Sequence, residues 1–327
     1  MQLRSKPVLC NYYLTYRCNA KCGFCNIWEK PSPYASIEAI TTNLTALKKL
    51  GVKIIDFTGG EPLLHQNIGE ILRIAKDFGF ITTLTTNCLL YPKKAKEIAN
   101  LVDMLHFSID FYDKEKHNKS RGVECYDHFI ESIEIAKKLN QKPDILLTVF
   151  NENVEDIPKI YNDFCLANKF MLILNPVFGY DDIKDGLTTE NLDKLSSYGQ
   201  LKWTYLNEGF ISLRKDNGNN TKDPVCKAQT STIVISPENK LIAPCYHLGS
   251  ANFNINNNLE TLYHSEEINF FKKNQGRLPE CEGCLVNCYM QPSFSVEVNK
   301  YFWKALPSTI KYNMRKGTWK NLFKRRN

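Results

Sequence analysis

Short apolar runs and amphipathic stretches alternate six times over the first two-thirds of the chain, and this alternation constrains the fold more than any other feature. Runs of strand length, rich in Ile, Val, Leu, Phe and Thr, fall at Val8–Tyr16, Lys53–Thr58, Phe80–Thr86, Val102–Asp110, Asp144–Phe150 and Phe170–Pro176. Helical patterns follow them at Ser36–Leu50, Asn67–Phe78, Pro92–Asn100, Tyr126–Leu139, Val154–Asn168 and Thr188–Leu206. Strand–helix units in strict alternation imply an α/β fold with a parallel sheet, either doubly wound or closed toward a barrel. The number of strands does not choose between the two. The alternation ends near Gly209–Pro224, where "RKDNGNNTKDP" reads as a turn-rich linker. Beyond it, Thr232–Ser236 and Lys240–Ala243 read as a hairpin around Pro237-Glu238-Asn239.

In an α/β fold the functional groups collect beyond the carboxyl ends of the strands. Three cysteines, Cys18, Cys22 and Cys25, stand directly after the first strand. The chain has no stretch of about 18 apolar residues and no apolar leader, so a cytosolic, reducing setting is expected. Twelve cysteines there point to metal or catalytic chemistry rather than disulfides. Three local thiolates can ligate three corners of an iron–sulfur cubane, which normally takes four; a zinc knuckle would also seek four ligands. After the second strand comes Gly59-Gly60-Glu61-Pro62. Its two glycines admit a close backbone approach, Glu61 offers a carboxylate to an amine, and Pro62 stiffens the exit.

With Cys-x3-Cys-x2-Cys after strand one, Phe24 just before the third cysteine, and Gly-Gly-Glu-Pro after strand two, the sequence resembles the radical S-adenosylmethionine (radical SAM) superfamily over about residues 8–210. The resemblance implies a partial (β/α)6 TIM-type barrel with a [4Fe–4S] cluster on Cys18, Cys22 and Cys25. S-adenosylmethionine would fill the open iron site, and its reductive cleavage would yield a 5′-deoxyadenosyl radical that takes a hydrogen atom from a substrate. It further implies cofactor contacts from Phe24 to the adenine, from Gly59, Gly60, Glu61 and Pro62 to the methionine end, and from Asn87, Ser108, Asp110 and Arg121. A guanidinium such as that of Arg121 can hold a carboxylate through two hydrogen bonds. Without the family, Asn87 reads as a turn residue, Asp110 as a cap and Arg121 as surface.

Five further cysteines, Cys226, Cys245, Cys281, Cys284 and Cys288, follow the barrel. Four thiolates from a hairpin and a Cys-x2-Cys knuckle can close a zinc site or a second cubane. Beside a radical SAM barrel they resemble a small SPASM/twitch-like extension carrying an auxiliary [4Fe–4S] cluster. That likeness implies ligands Cys226, Cys245, Cys281 and Cys284, with Cys288 as an alternative ligand or a partner for a substrate-facing open site. Cys10, Cys88, Cys125 and Cys165 read as packed thiols. The resulting division is a barrel over 1–210, a linker over 211–225, a cysteine-rich domain over 226–290 and a tail over 291–327.

The net charge of +7 belongs to that tail, which holds nine cations and no acid after Glu297. The rest has 33 cations against 35 anions, so charge gives no reason to expect nucleic acid. Tyr, Phe, Trp and Leu among the tail cations suit an anionic membrane surface, while Pro307 and Gly317 are expected to break a helix there. The favoured function is a radical SAM enzyme that dehydrogenates or rearranges a small molecule or lipid precursor, served by an electron donor such as flavodoxin or ferredoxin. A peptide maturase forming thioether or carbon–carbon links is an alternative. The few residues before the first strand leave no room for the peptide-recognition domain such relatives often carry. A non-enzymatic zinc or iron–sulfur binding protein is the other alternative.

Overall fold

The structure, a computed structural model, describes residues 2–178 and 186–318. Its strands are β1 (Leu9–Thr15), β2 (Ile54–Gly59), β3 (Ile81–Thr86), β4 (Met104–Ile109), β5 (Asp144–Val149), β6 (Leu172–Pro176), β7 (Thr204–Tyr205), β8 (Thr232–Ile235), β9 (Lys240–Ala243) and β10 (Ala251–Asn254). Between β1 and β6 lie helices α1 (Ile37–Leu50), α2 (Ile68–Asp77), α3 (Tyr91–Ile98), α4 (Lys114–Arg121), α5 (Tyr126–Lys138) and α6 (Ile157–Ile160). The rest are α7 (Thr189–Gly199), α8 (Glu208–Lys215), α9 (Ala228–Ser231), α10 (Leu259–Tyr263), α11 (Glu266–Asn274), α12 (Asn287–Ser293) and α13 (Lys300–Lys316).

Strands β1 to β7 lie side by side in chain order, all parallel. A doubly wound sheet would reverse its strand order partway; an unreversed order keeps the crossovers on one face and curls the sheet toward a partial barrel. Outward side chains such as Ile55, Phe57, Leu105, Phe107, Ile145 and Leu147 are buried under the helices in the main core. Their inward neighbours Asp56, His106, Leu146, Thr148, Ile173 and Asn175 are only half-buried. With a side-chain period of two, this alternation means that the lumen is a hollow rather than the filled core of a full TIM barrel.

Three expectations change here. The hairpin does not stand apart: β8 pairs in parallel with β1, and β9 and β10 extend the same ten-stranded sheet. The turn between β8 and β9 does use Asn239 at φ +58°, the left-handed conformation that Asn tolerates. The linker read over 211–225 begins as α8, whose residues Gly209–Arg214 are buried, because its apolar face packs against α12 and α13. The tail is not an unstructured surface segment. α13 runs through Pro307 and stops at Gly317. Lys300 pairs with Asp216 at 2.9 Å, Lys304 donates to Ser212, Lys311 donates to the Gly199 carbonyl, and Lys316 pairs with buried Asp144 at 2.7 Å. Protein groups thus take four of the nine tail cations that suggested membrane docking, and no helix among the described residues is long and apolar enough to cross a membrane. The tail residues beyond Thr318 lie outside the described residues.

Candidate cofactor site

The cysteine loop leaves β1 and settles on the end of α4. Lys21 and Gly23 donate backbone N–H groups to the carbonyls of Arg121 and Ser120 at 2.9 and 3.1 Å. These are last-turn carbonyls with no partner inside the helix. Gly122 makes the docking possible. It sits at φ +63°, and a Cβ there would stand 2.5 Å from the Lys21 carbonyl oxygen. The Gly59–Gly60 pair plays a similar part on the other side: Cβ atoms would meet the carbonyl oxygens of Thr15 and Arg17 at 2.0 and 2.2 Å. The backbone that approaches these glycines is therefore the exit of β1, where Gly60 and Glu61 donate to Thr15 and Arg17, each at 2.9 Å.

Glu61 is buried, and its carboxylate accepts the amides of Leu63 at 3.0 Å and Asn87 at 2.9 Å, tying the ends of β2 and β3 together. Burial pushes its pKa up to about 7 despite those bonds. Pro62 opens the following turn. Asn87 donates to Asn19 at 2.8 Å and stands 3.9 Å from the Cys18 sulfur. Asp110, after β4, is fully buried; Arg121 donates to it at 2.6 Å and Ser120 at 2.8 Å. Arg121 lies 4.0 Å from the Cys22 sulfur and over the Phe24 ring at 5.5 Å. Its Nε is buried without a partner among the described residues. Ser108 is buried one position before the end of β4.

The structure therefore gathers Cys18, Cys22, Cys25, Phe24, Glu61, Asn87, Asp110 and Arg121 on one rim. Three thiols, each with its pKa raised by burial and that of Cys18 pushed up to about 12, sit beside a guanidinium that favours the thiolate of Cys22. Buried thiols ligate when an ion displaces their protons, and the bare edge of Arg121 leaves a donor for an anionic group. These residues fit an iron–sulfur cluster and a carboxylate-bearing cofactor.

Sequence reasoning missed the supports. His117 accepts the Asp110 amide at 3.1 Å and is held neutral by burial, with its pKa near 3. Asn153 donates to the Asp110 carbonyl at 2.5 Å. Phe150 packs between Phe24 and Phe111. Asn153 and Phe150 follow β5 and reach the site only through the topology, whereas His117 lies on α4 one turn before Arg121. His65 bonds the Ala35 carbonyl and serves the fold.

The second thiol group is assembled from distant segments. Cys226, Cys245, Cys281 and Cys284 are close enough to raise one another's pKa values, on top of the burial that raises each most. Asn219, 1% exposed, joins the segments: its Oδ1 accepts the amides of Val225 and Cys226, and its Nδ2 donates to the carbonyls of Gly276 and Cys281. Its own amide donates to the Cys284 carbonyl. The organising residue thus lies within the stretch that reads as a linker. Cys288 is not among the thiols that raise one another in this group. It lies on α12, and its charged neighbour is Asp56 on the lumen side of β2. Among the described residues no three His, Cys, Asp or Glu side chains close around a single ion. A cubane takes each thiolate on a different iron, so its ligands stand further apart than those of one tetrahedral ion. Cys10, Cys88 and Cys165 are buried in the main hydrophobic core, whereas buried Cys125 stands 3.3 Å from His117 Nε2.

Tyr246 spans the two groups. It follows Cys245, stacks on Tyr13 at 4.5 Å under the Lys30 ammonium, and lies near enough to Cys25 for that thiol to raise its pKa.

Comparison with known proteins gives the family and the fold. The radical SAM superfamily matches residues 12–164. A probable GTP 3′,8-cyclase of Saccharolobus islandicus is 32% identical over 213 residues, covering 61% of this chain and 68% of that protein. The GTP 3′,8-cyclase of Chlorobaculum tepidum is 28% identical over 170 residues, covering 48% of this chain; the match spans only about half, 51%, of that enzyme. The chain belongs to the radical SAM superfamily, and its relatives in that family are enzymes. Members use a [4Fe–4S] cluster and S-adenosylmethionine. The fold is similar to that of Streptococcus suis SuiB bound to precursor peptide SuiA, with a TM-score of 0.65 at 19% identity, over 82% of this chain and 65% of that one. Native anSMEcpe with bound AdoMet matches over 94% of this chain and 97% of its own, with a TM-score of 0.63 at 18% identity. The cysteine-rich C-terminal region fits an auxiliary-cluster domain.

Proposed function

We propose that this enzyme abstracts a hydrogen atom from a polar small molecule held in the barrel lumen, in a dehydrogenation or rearrangement. The observation that carries this reading is the polar, half-open lumen wall of Asp56, His106 and Asn175 beneath the cysteine rim. Ile54, Met104, Leu146 and Ile173 line the same lumen, so it suits a molecule that joins hydroxyl or amide groups to an apolar part. Bound at Cys18, Cys22 and Cys25, a [4Fe–4S] cluster with S-adenosylmethionine supplies a 5′-deoxyadenosyl radical. The chain's own residues then bind and aim. Arg121, oriented by Asp110, would take the cofactor carboxylate. Gly59, Gly60, Glu61, Pro62, Asn87 and Ser108 would shape the remaining wall, and Phe24, braced by Phe150, would cover the adenine.

The second group, Cys226, Cys245, Cys281 and Cys284, would hold an auxiliary [4Fe–4S] cluster that accepts an electron when the substrate is dehydrogenated. A ferredoxin- or flavodoxin-type protein would supply the priming electron. Peptide modification is the second reading, favoured by the fold shared with SuiB in its complex with SuiA.

Anaerobic reconstitution tests the assignment. About eight irons per chain, four per cubane, and reductant-dependent release of 5′-deoxyadenosine are expected. The Cys22→Ala chain should keep about half the iron and release no nucleoside. Cofactor cleavage by that chain would overturn the ligand assignment.

A further inference from the structure

A hollow of about 1590 Å³ opens at the end of the barrel opposite the cysteine loop. Its rim carries five cations, Arg4, Lys6, Lys48, Lys53 and Lys76, against the single acid Asp77. Two of these have local roles at helix ends: Lys48 donates to the Phe78 carbonyl at 2.7 Å, and Lys76 pairs with Asp103 at 2.6 Å. Cations there complement the negative end of the helix dipole. The side chains of Arg4, Lys6 and Lys53 have no acid or hydrogen-bond acceptor among the described residues. Arg4 and Lys6 are nonetheless not on a loose end, because Leu3 and Arg4 donate backbone amides to Val296 at 2.7 and 3.3 Å and fix the segment across the mouth. A cleft lined by one sign of charge concentrates counter-ions.

Above this rim the hollow has two unlike walls. Ile54, Met104 and Ile173 form an apolar one. Next to Ile173 on β6, Asn175 begins a ladder of amides, in which Gln291 donates to Asn287 and Asn287 to Asn175. The volume exceeds the roughly 300–1,000 Å³ of ordinary ligand pockets. From Lys53 to Gly59 the strand climbs about 20 Å at about 3.3 Å per residue.

We infer that this mouth binds the anionic end, a phosphate or a carboxylate, of an elongated small molecule whose body climbs the lumen toward the cysteine rim. The inference rests on the proposed function for its upper end. The anion site itself stands on the charge and the hollow alone.

Calorimetric titration of the reconstituted full chain with inorganic pyrophosphate and with citrate tests it. Wild type binds at least one of the two probes, and raising salt from about 0.05 to 0.2 M weakens that binding. Tighter binding of pyrophosphate identifies a phosphate end, and tighter binding of citrate a carboxylate end. The Lys6→Gln/Lys53→Gln chain binds about tenfold or more weaker, since charge-assisted bonds are lost. The charge-keeping Lys6→Arg/Lys53→Arg chain retains binding, which separates charge from folding defects. Lys273→Gln on α11 is the surface control and binds as wild type does. Wild type that binds neither probe, or a Gln double variant that binds as wild type does, overturns the inference. Release of 5′-deoxyadenosine, scored separately on wild type, keeps the two claims apart. Cleavage without anion binding sinks this inference alone, and anion binding without cleavage sinks the proposed function alone.

Discussion

The two cysteine groups are built in opposite ways. The first is one contiguous loop, and its three thiols need only a docking surface, the end of α4. The second draws its thiols from segments spread over about 60 residues and depends on one buried side chain, Asn219, to hold them in place. A local group tolerates changes elsewhere but fails when its dock is blocked. A dispersed group survives loop changes but fails when its organiser is lost.

That contrast can be broken or sharpened by substitution. The largest effect is expected at Asn219. Asn219→Ala leaves the Val225 and Cys226 amides and the Gly276 and Cys281 carbonyls without their partner. At about 1–3 kcal/mol per buried unsatisfied group, partly relieved by water, about 4 kcal/mol of local stability should go. Reconstituted iron should fall by about half while nucleoside release without substrate persists. Equal loss from both clusters would show that the groups are not independent.

Next comes Gly122→Ala, which strains a left-handed position and pushes on Lys21. About 2 kcal/mol is expected, seen as a lower melting temperature, with the first cluster lost and the second kept. Loss of the second cluster instead would refute the docking role of α4.

Asp110→Asn is milder. Arg121 loses its counter-charge but keeps its place, so S-adenosylmethionine binding should weaken by about tenfold, as for one charge-assisted bond, at unchanged iron content. Equilibrium dialysis reads this directly.

The base of the barrel supplies a baseline that touches neither group. Burial alone would raise the Asp144 pKa, but Lys316 and His106 outweigh it and hold the carboxyl below its ordinary range. An acid depressed in the folded state adds stability above its unfolded pKa and loses it as pH falls through the folded value. The difference in stability between wild type and Lys316→Met, about 3 kcal/mol at neutral pH for a broken buried pair, should therefore shrink below about pH 4. A gap that holds constant into acid would show that α13 is not anchored through this pair.

The sequence revealed what is periodic or contiguous. β1 to β6 and the first cysteine loop rest on local patterns, so they were legible. Glu61 was legible as a residue but not as a brace, because its distant partner Asn87 is set by the register of β2 and β3. Asn219 was hidden because a buried Asn and a turn Asn look alike in sequence. α13 was misjudged because Pro307 argues against a helix, whereas Tyr312, Lys316 and Asp144 hold it by tertiary contact. The separation of Cys288 from the other late cysteines depends on which face of α12 it occupies, and a seven-residue helix is too short to show that face.

Because β8 hydrogen-bonds directly to β1, the sheet that carries the first cysteine loop also carries the β8–β9 hairpin whose flanks hold Cys226 and Cys245. The shared sheet ties the two groups to one frame, as marks are tied to a ruler. Variation in β4, β5 and β6 can reshape what the lumen accepts without moving either mark. A lineage built on this frame can change its substrate while its redox spacing stays constant.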